Sequence, residues 1–296
     1  MKPARGSGWR TGLDVSALLV SAEELATHLG DPDWRIFDCR HDLQNTEYGA
    51  QAYARDHIPG ALFLHLDRDL SGKKSGSNGR HPLPDPATFA AKMTYCGVGP
   101  DTQVVAYDNE AGVFSARLWW TLRWLGHDKV ALLDGGLAAW RRAKLPLVAE
   151  LPSLPPMKFE PRLRPAMQVD ANFVQDRLKS PETVILDARA PERFSGEQEG
   201  IDPVGGHIPG AVNRFYLDNL DDVGIHFKPA AELRAEFERL LAGREPGAVI
   251  HQCGSGVTAC HNLLAMELAG LTGSRLYSGS WSEWCADPSR PVATGH

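Results

Sequence analysis

The sequence predicts an α/β protein made of one domain written twice, each copy a mostly parallel sheet flanked by helices. Three observations carry this. His57-Ile58-Pro59-Gly60-Ala61 recurs 150 residues later as His207-Ile208-Pro209-Gly210-Ala211. Ile36-Phe37-Asp38-Cys39-Arg40 is answered by Ile185-Leu186-Asp187-Ala188-Arg189, and Leu133-Asp134-Gly135-Gly136 with Trp140 by Tyr277-Ser278-Gly279-Ser280 with Trp284. Short apolar runs alternate with amphipathic ones in both halves. A period of half the chain means domain duplication, not a solenoid.

In the first copy, residues 34–38, 103–107 and 130–133 read as buried strands, and 21–29, 86–95 and 113–125 as helices. Phe114, Leu118, Leu122 and Leu125 form one apolar face of the last. The second copy repeats the alternation with strands at 183–187, 248–252 and 275–277 and helices at 171–178, 230–241 and 258–269. Such alternation predicts a mostly parallel sheet. Between the copies, residues 151–165 hold Pro152, Pro155, Pro156, Pro161 and Pro165, which forbid continuous helix or central strand. The expected domains are residues 1–150 and 168–296, joined by an extended, stiff linker over 151–167.

With 296 residues there is room for two cores, and 43% hydrophobic with 23% charged residues is ordinary for a globular protein. A net charge of −6 with scattered arginines gives no nucleic-acid surface. Cys39, Cys96, Cys253, Cys260 and Cys285 show neither disulfide-framework nor zinc spacing. Residues 1–12 are basic but lack a following apolar core, and no run approaches membrane-spanning length. These features predict a soluble, cytoplasmic protein without metal or cofactor.

The chemistry concentrates at Cys253-Gly254-Ser255-Gly256-Val257-Thr258, between the strand at 248–252 and the helix at 258–269. A nucleophile followed by two glycines at a strand-to-helix junction can turn backbone N–H groups and a helix N-terminus toward one sulfur, favouring thiolate and an anionic substrate. A core-filling cysteine needs no such loop. The other four cysteines read as core, Cys39 being the least settled. Aligning the copies places Asp108 opposite Cys253, in Asp108-Asn109-Glu110-Ala111-Gly112. That first loop looks degenerate, so one active site is expected, in the second half. A cysteine phosphatase would carry arginine six residues after the nucleophile, where this chain has Ala259.

The repeated His-Ile-Pro-Gly-Ala segments, the Cys253 loop and Gly279-Ser280-Trp281-Ser282-Glu283-Trp284 resemble the two-domain rhodaneses over residues 14–296. The loop is most similar to the 3-mercaptopyruvate sulfurtransferase branch, since Ser255 stands where thiosulfate-preferring members carry a cation. The resemblance implies a sulfurtransferase that carries sulfur as a Cys253 persulfide. The donor would be 3-mercaptopyruvate or thiosulfate, and the acceptor a thiol, cyanide or a thioredoxin-like protein. A thiosulfate preference and a non-catalytic persulfide carrier are the alternatives. The resemblance further implies a Ser255–His81–Asp67 set reaching across the domains, with Gly254, Gly256, Val257 and Thr258 supplying the anion cradle. Ser255 could instead cap the following helix. Of two carboxylate-binding arginines, Arg193 matches one; the other has no counterpart, because residues 195–206 contain no basic residue. Arg193 could equally pair with Glu197, Glu199 or Asp202, and Arg189 with Asp187. The His-Ile-Pro-Gly-Ala segments read as structural turns, and Trp281 and Trp284 as cleft lining or core.

Overall fold

A computed structural model describes residues 18–295; the basic stretch 1–12 and the start of the expected first domain lie outside them. The first half runs β1 (Leu19–Val20), α1 (Ala22–Thr27), β2 (Trp34–Asp38), α2 (Tyr48–Arg55), β3 (Leu62–Phe63), α3 (Pro86–Tyr95), β4 (Gln103–Tyr107), α4 (Ser115–Trp124), β5 (Val130–Leu133) and α5 (Gly136–Arg142). The second runs β6 (Gln168–Val169), α6 (Ala171–Gln175), β7 (Val184–Asp187), α7 (Pro191–Ser195), β8 (Val212–Asn213), α8 (Ala230–Leu241), β9 (Val249–Gln252), α9 (Thr258–Leu268), β10 (Arg275–Tyr277) and α10 (Ser280–Trp284). Each half folds into a five-stranded sheet, ordered β1-β5-β4-β2-β3 and β6-β10-β9-β7-β8, with every strand pairing parallel. The duplication read from the sequence is therefore a duplication of topology.

Apolar runs bounded by turn residues explain the central strands, which are buried on both faces as parallel strands require. Ser21, Asp85 and Asp170 cap α1, α3 and α6 by accepting backbone N–H groups. The repeated His-Ile-Pro-Gly-Ala segments are turns: Gly60 and Gly210 both take φ of +80°, and the chain then enters β3 and β8.

The single apolar face expected for α4 is corrected by the structure. All ten of its residues are buried, because one face packs on its own sheet and another against α9 of the second half. One apolar core thus runs through both halves, from Phe37 to Leu276. Arg123 of α4 pairs with Glu267 of α9 at 3.1 Å across the same boundary. Residues 151–164 form neither helix nor strand, yet they are strapped to the first half. Met157 N–H donates to the Thr94 carbonyl at 3.0 Å, Arg162 N–H to Leu125 at 2.7 Å and Arg164 N–H to Trp124 at 2.8 Å. Among the described residues, no helix is long and apolar enough to cross a membrane.

Candidate active site

β9 delivers Cys253 to the carboxyl edge of the second sheet, where the chain turns into α9. Gly256 closes the turn at φ +76°, and a Cβ there would fall 2.3 Å from the Ser278 carbonyl oxygen, so only glycine fits. The loop is strapped by α10: Trp281 N–H donates to the Cys253 carbonyl and Ser282 N–H to that of Gly254, both at 2.9 Å. Gly256 N–H donates to Cys253 Sγ at 3.1 Å, whereas the Cys253 N–H donates to Ser280 Oγ. One amide on the sulfur is fewer than the converging set expected, the Cys253 N–H itself being turned to Ser280 of α10. Cys253 is 2% exposed.

Ser255 does not cap α9; its Oγ lies 2.7 Å from Nδ1 of His81, a residue of the first half. His81 Nε2 in turn stands 3.6 Å from Asp67 Oδ1, and Lys74 Nζ donates to the same oxygen at 3.0 Å. The structure therefore brings Asp67, His81 and Ser255 together across the halves. Contact with His81, and then with Lys74, holds the Asp67 carboxyl well below the usual range. Burial pushes the His81 imidazole down, against the opposing pull of Asp67, which keeps it neutral and able to accept a proton. Arg117 of α4 fixes both partners, donating to the Gly256 carbonyl at 2.8 Å and the His81 carbonyl at 2.9 Å.

Arg193, on α7, is engaged by Glu199 and by Asp202 at 2.9 Å, as the acid-pairing alternative anticipated, in a half-buried cluster beside the cysteine loop. A Cβ on Gly254 would sit 3.5 Å from Arg193 Nη1 and 2.8 Å from Nη2 of Arg80. Arg80 also pairs with Asp202, and its N–H donates to Ser282 Oγ. Two guanidiniums therefore roof the loop, one from each half. Sequence reasoning missed Arg80 because it searched for the second cation only near Arg193; the signal available was its place beside His81. Arg189 pairs with Asp187 as expected. Thr258 opens α9 and Val257 precedes it, both backing the loop.

The remaining candidates resolve into structure. Trp281 and Trp284 are wholly buried core residues. All five cysteines are free, and burial pushes Cys96 to about 11, Cys260 to about 12 and Cys285 to about 11, with Cys39 also well above its ordinary value. Those four stay protonated at neutral pH. His41, His65 and Asp67 bring ligand-type atoms within 4.8 Å. His65 Nδ1, however, accepts the Asp67 N–H, leaving the proton on its other nitrogen and disqualifying it as a metal ligand.

The equivalent loop of the first half holds no thiol. The buried Asp108 carboxylate fills it, accepting the N–H groups of Glu110, Gly112, Phe114 and Ser115 and the Ser115 hydroxyl at 2.8–3.0 Å. The cradle survives, with its anion built in.

Two parallel α/β copies, one with a cysteine at the strand-to-helix turn and one with that turn occupied, define the tandem rhodanese architecture. Residues 21–143 and 170–287 match the rhodanese-like domain, and the chain belongs to that family. A probable 3-mercaptopyruvate sulfurtransferase from Pseudomonas aeruginosa is 51% identical over 95% of this chain and 99% of its own length. A putative thiosulfate sulfurtransferase from Mycobacterium tuberculosis is 38% identical over 94% of this chain and 97% of its own. The crystal structure of SseA from Escherichia coli, described as a 3-mercaptopyruvate sulfotransferase of rhodanese fold, aligns with a TM-score of 0.77 and 36% identity over 89% of this chain and 98% of that one.

Proposed function

We propose that this protein is a sulfurtransferase that takes sulfur from 3-mercaptopyruvate, with thiosulfate as the lesser donor, and carries it as a Cys253 persulfide. The observation that carries the reading is the Ser255–His81 contact of 2.7 Å, which puts a proton-handling pair from both halves beside the nucleophile loop. The Cys253 sulfur attacks the donor's sulfur, a new S–S bond forms and the donor's C–S bond breaks. The electron pair passes to the carbon of the departing enolate. The donor's thiol proton moves through Ser255 and His81 and ends on that carbon, giving pyruvate and Cys253–S–S⁻ with atoms and charge balanced. Asp67 orients the imidazole and balances its charge when protonated. Backbone N–H groups of Gly254, Gly256, Val257 and Thr258 cradle the persulfide anion.

Arg193 and Arg80 bind the donor's carboxylate, which exchanges for Glu199 and Asp202 on the two guanidiniums. Arg80 thus takes the place of the second arginine that the chain lacks near Arg193. The half over residues 168–296 is catalytic; the half over 1–150 is its non-catalytic wall, joined through 151–167. A thiol, cyanide or thioredoxin-like protein removes the sulfur. Five free cysteines favour a reducing compartment, the cytoplasm.

Intact mass after exposure to 3-mercaptopyruvate tests this directly. The wild-type chain should gain one sulfur atom and Cys253→Ser none; a Cys253→Ser chain that gains it refutes the nucleophile. Initial rates on the two donors test the branch, and faster turnover of thiosulfate overturns it.

A further inference from the structure

Arg117 belongs to the first half but acts on the second. It is wholly buried, gives one guanidinium nitrogen to the Gly256 carbonyl and another to the His81 carbonyl, and leaves Nε without a partner. The buried Arg40, Arg123, Arg189 and Arg214 hold a carboxylate within 3.1 Å, and the buried Arg35 is served by the Pro32 and Trp34 carbonyls where β2 begins. Arg117 has no carboxylate partner among the described residues, and a guanidinium is costly to bury without a counter-ion. The groups whose negative charge would reach it are the thiols of Cys260 and Cys253. Cys260 donates its S–H to the Gly256 carbonyl at 3.4 Å and, pushed up to about 12 by burial, stays neutral. Cys253 remains. Arg117 grips its loop through the carbonyl of Gly256, whose own N–H donates to the sulfur.

The other charged groups around the loop each hold a carboxylate. From the β7 end, Arg189 holds Asp187 while its charge also reaches Cys253, so it shares the sulfur anion with Arg117; from α7, Arg193 holds Glu199 and Asp202. From the first half, Arg80 shares Asp202 and His81 faces Asp67. We infer that Arg117 is a positioning residue that supplies the counter-charge for the sulfur anion at Cys253, thiolate or persulfide, while locking His81 and the cysteine loop in register. This deepens the sulfurtransferase reading and rests on it.

The test is the pH profile of iodoacetamide alkylation at Cys253 in the full chain, read by peptide mass for wild type, Arg117→Lys and Arg117→Met. Removing the charge should displace the profile to higher pH and slow alkylation at neutral pH about ten-fold. Arg117→Lys should stay near wild type. A folded Arg117→Met chain with the wild-type profile overturns the inference. A second comparison does not depend on that variant folding. Cys253→Asp restores a permanent anion opposite Arg117 and should melt above Cys253→Ser; equal or reversed melting temperatures overturn the inference. Neither measurement needs sulfur transfer, so a wild-type chain that forms no persulfide defeats the sulfurtransferase reading without deciding this one.

Discussion

The two strand-to-helix loops, Asp108 to Ser115 and Cys253 to Thr258, stand at equivalent points of the same topology and have been put to opposite uses. In the first, a fixed carboxylate accepts four backbone N–H groups and a hydroxyl. In the second, a sulfur receives one loop N–H at 3.1 Å, and the neighbouring Ser255 meets His81 of the other half. A loop that satisfies its own donors is rigid and inert; one that leaves part of its capacity open can receive a charge that arrives with a substrate.

The largest expected effect comes from emptying the first loop. Asp108→Ala strands three buried N–H donors and one part-buried one, and should cost about 3–5 kcal/mol of stability, measured by urea unfolding. Loss under about 1 kcal/mol would mean that water replaces the carboxylate and that the two loops differ less than their bonding suggests. Asp108→Cys should not acquire sulfur from a donor, since nothing around it repeats the Ser255–His81 pair.

Next in size, Ser255→Ala should lower kcat on 3-mercaptopyruvate about 100-fold while leaving thiosulfate turnover nearly unchanged, because thiosulfate brings no thiol proton to move. Steady-state kinetics on both donors checks this, and equal losses would make Ser255 a packing residue only.

Acidification should act on both loops. Burial holds His251, two residues before Cys253, at about 3 and His261 of α9 at about 4, and His41 at about 4, each from an ordinary 6.5. Their folded values are depressed, so their stabilising contribution is whole above 6.5 and is lost as pH falls toward 4. Glu110, in the first loop, is raised to about 7 by desolvation and by Asp108, and because it is exposed its contribution, present in acid and fading as pH rises through 7, is small. Three histidines against one carboxyl predict a melting temperature several degrees lower at pH 4 than at pH 6.5. His261 lies 3.0 Å from the Ala111 carbonyl and His41 packs edge-on against Phe114, so hydrogen exchange should rise in the Asp108 loop at least as early as around Cys253.

The smallest effect is Gly254→Ala. Its methyl would crowd Arg80 Nη2 at 2.8 Å, and a flexible guanidinium can shift. KM for 3-mercaptopyruvate should rise a few-fold with kcat held; an unchanged KM would remove Arg80 from donor binding.

Much of this was legible in the residues. The strands at 34–38, 103–107, 130–133 and 275–277 and the helices at 86–95 and 230–241 match the structure residue for residue, since each is a patterned run between turn residues. The two-residue strands β1, β3, β6 and β8 escaped because two residues carry no period. The helix α2 escaped because Gly49 interrupts it. That glycine is placed by tertiary contact, since a Cβ would fall 1.8 Å from the Arg40 carbonyl oxygen. Cys253 was read from its glycine loop, and Ser255, His81 and Asp67, which the structure brings together, from motif resemblance. Arg80 and Arg117 were not, as their partners lie 122 and 139 positions away. Such pairs are written in the fold.

The strap over residues 151–164 gives the chain a property no catalytic residue has. Hydrogen-bonded to Thr94, Leu125 and Trp124, and pinned by the Arg164–Asp128 pair at 2.7 Å, it spends its length on the first half instead of spanning a gap. The halves are held by α4 against α9, not by their tether. A protease nick inside the strap should therefore yield two fragments that co-elute as one particle and still turn over donor.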